Sequence, residues 1–146
     1  MGRALAGWRA LTGQQKRQLM LLVMVLPAIG ALIRVAGFQR AAKACARLGG
    51  QPPLRPVAPA DLVQAEAYAQ LAAIAGRRGP VTTTCLRQAL AVRTWLRRRG
   101  LDAQLRIGVK KNGEALDAHA WVELEGRPLG QDNLTHAPFP SPDLGA

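Results

Sequence analysis

CLRQALAVRTWLRRRGLDAQLRIGVKKNG, residues 85–113, changes its period at Gly100. Before that glycine, Cys85, Ala89, Val92 and Leu96 recur at helical spacing, with Leu86, Leu90 and Arg93 beside them. After it, Ala103, Leu105, Ile107 and Val109 alternate with polar residues, the pattern of a half-buried strand. The spacing predicts a helix over roughly 84–99 with Gly100 as its C-terminal cap. Arg97, Arg98 and Arg99 fall in its last turn, where the helix dipole favours cations, so the arginine run has a local reason. Asn112-Gly113 predicts a hairpin turn, and AHAWVELEG, 118–126, reads as the second strand. The Glu125-Gly126 turn then leads to a third short strand around 128–131. A helix followed by three strands is an α+β arrangement, with an antiparallel sheet beside the helix that starts at Cys85.

Upstream, GRRGP at 76–80 ends an earlier helix. Its apolar positions are Leu62, Ala65, Ala69, Ala72 and Ala73, and Asp61 is its expected N-cap. QPPLRPVAPA, 51–60, is proline-rich and reads as an extended linker, the clearest boundary in the chain. Residues 1–50 read as a helical region. Thr12 can cap a helix that Pro27 should kink or break, and a second helix covers Phe38 to Leu48 and stops at Gly49-Gly50. The expected organisation is a helical region over 1–50, a linker over 51–60 and an α+β domain over 61–146. The tail from His136 is rich in proline and reads as irregular.

The chain has 146 residues, enough for one core and hardly for two. With 49% hydrophobic and 20% charged residues it is not a disordered composition. The net charge of +11 admits an acidic partner, a nucleic acid or a membrane surface. The cations are spread along the chain, and 4% aromatics are too few for a base-stacking surface, so no nucleic acid is expected. Two cysteines make no disulfide framework, and no Cys/His zinc spacing occurs, so a reducing cytoplasm with neither metal nor cofactor is the expectation. LMLLVMVLPAIGALI, 19–33, lies in an uncharged run that is short of the ~20 residues of a membrane span. It reads as a helix that is buried or faces a partner protein, as a membrane-surface helix flanked by Lys16, Arg17 and Arg34, or as a signal or anchor.

Cys85 stands at the first turn of its helix, where exposed N–H groups and the dipole stabilise a thiolate and can hold an oxyanion. Thr83 or Thr84 can cap that turn. A nucleophilic thiol also needs an imidazole, oriented by a third group. His119 lies in an alternating strand and shares a face with Trp121 and Glu123; Ala118, Ala120, Val122 and Leu124 share the other. The alternation leaves open which face is inner. Asp132, beyond the Gly126 turn, suits the orienting role; Asn133 beside it is the substitute, and Asp117, too near along the same strand, ranks third. His136 falls in the tail. The plainer reading is a small core cysteine and an unconnected strand histidine.

The run from Cys85 to Gly113, followed by AHAWVELEGRPL, resembles the transglutaminase-like cysteine peptidases that process lasso-peptide precursors. The likeness lies in the order of a CL-x-x-A-L helix, an RRG helix end, an L-x-I-G-V strand and an A-H-A-W-V-E strand, from about Thr83 to Asp132. It implies a transglutaminase-like or papain-like core, with Cys85 as nucleophile, His119 as base and acid, and Asp132 as orienting residue. It also implies a precursor peptide cut between leader and core, a separate leader-recognition protein, and an asparagine-synthetase-like cyclase that takes the released amine. The alternatives are an acyl-transferring enzyme of the same fold and a non-catalytic scaffold on a membrane or cyclase.

Overall fold

The computed structural model describes residues 7–78, 84–130 and 137–138. A helical turn at 7–10 precedes α1 (Gly13–Ala36), α2 (Phe38–Gly49), α3 (Pro59–Arg78) and α4 (Cys85–Arg97). Then come β1 (Ala103–Asn112), β2 (Ala115–Leu124), β3 (Arg127–Pro128) and β4 (Ala137–Pro138). The strands form an antiparallel sheet of order β3-β2-β1-β4, so the expected α+β architecture is observed.

Local chemistry accounts for most boundaries. Thr12 Oγ1 accepts from Gln15 N–H at 3.2 Å and Gln15 Oε1 from Thr12 N–H at 2.9 Å, a capping box. α1 ends at Gly37 and α2 at Gly50, both with positive φ. α1 runs unbroken through Pro27, against the expectation of a kink or break. Buried residues on both sides of the proline, Leu22 and Leu26 before it and Ile29 and Gly30 after it, hold the two halves in one helix. α3 starts at Pro59, two residues before the expected cap. Proline suits a first helical position because its missing N–H would have had no partner. Asp61 acts one turn in instead, accepting from Ala58 N–H at 2.9 Å.

The proline-rich segment is pinned. Arg55 donates through Nη1 and Nη2 to Asp61 at 2.7 and 2.8 Å, and through Nε to Arg99 O at 3.1 Å. Arg55 N–H donates to Gly100 O at 2.9 Å, and a Cβ on Gly100 would come within 2.8 Å of Pro53 O. The Arg55 guanidinium and the Ala58 N–H hold the Asp61 carboxyl down at about 2.

The β1–β2 loop is Gly113-Glu114, because Asn112 pairs with Ala115. The turn is thus one residue later than Asn112-Gly113, with Gly113 at φ 64° in the first central position, where a II′ hairpin wants glycine. Glu125 and Gly126 both have positive φ and close the β2–β3 hairpin. The proline-rich tail contributes β4, which pairs with β1 at Gly108 and Val109 where irregular chain was expected.

α4 is the centre of the packing: it touches α1, α2 and α3 as well as β1 and β2. Its Ala89, Leu90, Val92 and Leu96 join Leu22 and Leu26 of α1, Ala65 and Ala72 of α3, and Leu105, Val122 and Leu124 of the sheet in one core. Each fully buried leucine contributes about 1.5–3 kcal/mol. At the far end, Tyr68 stacks on Trp95 with centroids 4.1 Å apart, and the Arg99 guanidinium lies 4.0 Å from the Trp95 ring centroid. Arg97 Nη1 donates to Asp102 Oδ1 at 2.7 Å. The arginine run therefore serves the helix end.

Candidate active site

α4 begins at Cys85 because Thr84 leaves the helical region, with φ −75° and ψ 156°. Thr84 O accepts from Arg87 N–H at 3.1 Å and from Gln88 N–H at 3.3 Å. The Thr84 hydroxyl makes no capping hydrogen bond, contrary to one of the two expected caps; Thr83 lies outside the described residues. The N–H groups of Cys85 and Leu86 precede any intrahelical acceptor. Cys85 is half-buried and not in a disulfide.

The inner face of β2 is now decided. Ala120, Val122 and Leu124 belong to the core and pair across β1 with Ile107, Leu105 and Ala103. His119, Trp121 and Glu123 lie on the opposite face. Trp121 is nonetheless buried. Its ring stacks with the half-buried His119 at 6.1 Å between centroids, and its Nε1–H donates to Glu123 Oε1 at 3.1 Å. Arg106 Nε, from the β1 position that pairs with Trp121, reaches diagonally to donate to Glu123 Oε2 at 3.0 Å. Aromatic contact and charge pairing thus stiffen the strand that carries the histidine.

Cys85 and His119 border one cleft of about 160 Å³. This is comparable to the ~150 Å³ that admits one aromatic ring. Residues 119–122 of β2 all line it, inner and outer face alike, so it follows the strand's edge. β3 pairs only with Glu123 and Leu124, which leaves that edge uncovered by any described strand. Ala69, Ala73 and Arg77 of α3 form another wall, and Leu129 and Gly130 an end. Gly130 N–H donates to Glu66 Oε2 at 2.9 Å, tying the segment after β3 to α3.

Asp132 and its substitute Asn133 lie outside the described residues, as does His136. Asp117 is described and exposed, opposite Lys110. Sequence reasoning missed Gln88 and Arg77 as cleft residues. Gln88 had a signal, since it lies one turn beyond Cys85 on the same helix; Arg77 had none, because it comes from a different helix. Among the described residues no group of three or more His, Cys, Asp or Glu could hold a metal ion.

A profile of the transglutaminase-like superfamily matches residues 25–140. The chain belongs to that superfamily. Its members are usually cysteine-dependent enzymes and include both cysteine peptidases and transglutaminases. The match starts inside α1 and takes in the proline-rich segment, α4 and the sheet, and so includes Cys85 and His119. No curated protein and no solved structure matches the chain.

Proposed function

We propose that the protein is a cytoplasmic cysteine peptidase that removes the leader from a lasso-peptide precursor. The observation that carries this reading is the cleft shared by Cys85, at a helix start, and His119, on a strand edge that no described strand covers. The Cys85 thiolate attacks the scissile carbonyl, and the first-turn N–H groups of α4 receive the oxyanion. His119 takes the thiol proton and gives it to the leaving amine. Water, deprotonated by His119, then hydrolyses the thioester, releases the leader acid and restores the thiol. Asp132 orients the imidazole. The freed core amine passes to an asparagine-synthetase-like cyclase.

Every described element before Cys85 is a helix, which supports leader recognition by a separate protein rather than by residues 7–78. The test is incubation with precursor and the leader-recognition protein, read by mass spectrometry. Two fragments, with a free acid on the leader, are expected from the native protein and neither from Cys85→Ala. Cleavage by Cys85→Ala would sink the reading. A leader joined to an added amine in preference to water would assign the same thiol to acyl transfer instead.

A further inference from the structure

α1 is long and apolar enough to cross a membrane by length and composition. Its packing argues against crossing. Leu22, Leu26 and Ile29 are buried in the core shared with α3 and α4, so a span would have to strip them from it. The opposite face is the exposed one. Leu21, Met24 and Val35 recur there at helical spacing with 56%, 73% and 88% of their surface open, and Met20 flanks them at 57%. Arg17 lies in line with this stripe, and Arg34 beside its far end; both are exposed.

Charge decides what suits the stripe. The cations are spread along the chain, but the acids are not: the first is Asp61. Nine of the 20 Lys and Arg residues and none of the 9 Asp and Glu residues lie in 1–60, so that segment carries +9 and the remainder +2. Arg40, Lys43 and Arg47 are exposed on α2, which packs against α1. Two copies meeting through such a region would bring like charges together. An apolar stripe within a region that has cations and no acids has the character of a helix lying in an anionic membrane interface. Trp8, 39% exposed with Lys16 Nζ 5.8 Å from its ring centroid, adds an amphipathic ring of the kind such interfaces favour.

We propose that α1 docks flat on an anionic lipid surface, with Leu21, Met24 and Val35 inserted among the acyl chains and the flanking cations on the headgroups. This does not rest on the peptidase reading, since it is measured without substrate. The experiment is sedimentation of the full chain with vesicles of phosphatidylcholine alone, or of about three parts phosphatidylcholine to one of phosphatidylglycerol. Binding at least about tenfold tighter to the anionic vesicles, weakening as salt rises, is expected. The Leu21→Glu/Met24→Glu double variant should lose at least about tenfold in that binding while melting at the native temperature. If that variant fails to fold, Arg17→Gln/Arg34→Gln and the native salt series decide. No sedimentation with anionic vesicles, or equal sedimentation with both kinds, overturns the proposal. So does a dimer, or a complex with an acidic protein, that the double variant breaks while native protein leaves vesicles in suspension.

Discussion

Cys45 sits in the middle of α2 with 4% of its surface exposed, packed in the core beside α4. Burial pushes its thiol up, only partly offset by Thr94 and the nearby Arg93 guanidinium. Cys85 opens α4, is half-buried, and borders a cleft that also holds an imidazole. The two residues share their chemistry and differ in position along a helix. A mid-helix thiol has neighbouring N–H groups already committed to the ladder; a thiol at the first position does not. The contrast teaches that a cysteine is read by its place on a helix and by what faces it, not by its rarity in the chain.

That comparison can be broken most directly by substitution. Under the peptidase reading, Cys85→Ala lowers precursor cleavage by at least about 10⁴-fold, whereas Cys45→Ala leaves turnover within about twofold. A reversed pattern in the mass-spectrometric assay ends the assignment of roles. His119→Ala should follow with a loss of about 10²–10⁴-fold in kcat/KM; full activity there would separate the cleft histidine from the thiol.

Thiol labelling sharpens the same contrast without substrate. At neutral pH an alkylating reagent should modify Cys85 at least about tenfold faster than Cys45, by peptide mapping. Raising the pH should not rescue Cys45 at the ordinary thiol pKa, because its titration is displaced upward. The sign for stability follows: Cys45 favours the fold fully below the unfolded thiol value, and that contribution is lost as pH rises through the higher folded one. Cys45→Ala should cost about 1 kcal/mol in urea unfolding at pH 7 and less above the native Cys45 titration.

The smallest expected effect concerns the segment between the two cysteines. Asp61→Asn removes the negative charge that pairs with Arg55 and should lower Tm modestly at neutral pH. The native carboxyl titrates at about 2, so its contribution is present above the usual carboxylate range and fades as pH falls through that value. The difference in Tm between native and variant should therefore shrink towards pH 2; a constant difference would remove the ion pair from the explanation.

Much of the architecture was legible because it is local. The capping at Thr12, the stop at Gly50, the helix from Cys85 and the alternating strands each depend on a few neighbouring residues. The misses have physical reasons too. Pro27 is a breaker unless packing holds both halves of its helix, and the buried residues around it do so. The hairpin turn moved by one residue because pairing of Asn112 with Ala115 sets the register. β4 was invisible because two residues, one of them a proline, carry no period.

Within the candidate site, the sequence by itself determined that a cysteine starts a helix and a histidine sits in an alternating strand. It also determined the charge of the first sixty residues. Only the tertiary structure decided that Ala120 and Val122 face the core, that β3 stops short of His119, and that the resulting strand edge borders the cleft holding Cys85. It decided likewise which of two apolar faces of α1 is buried and which is open. Periodicity follows from backbone geometry within one segment, whereas facing depends on which distant segments pack against it.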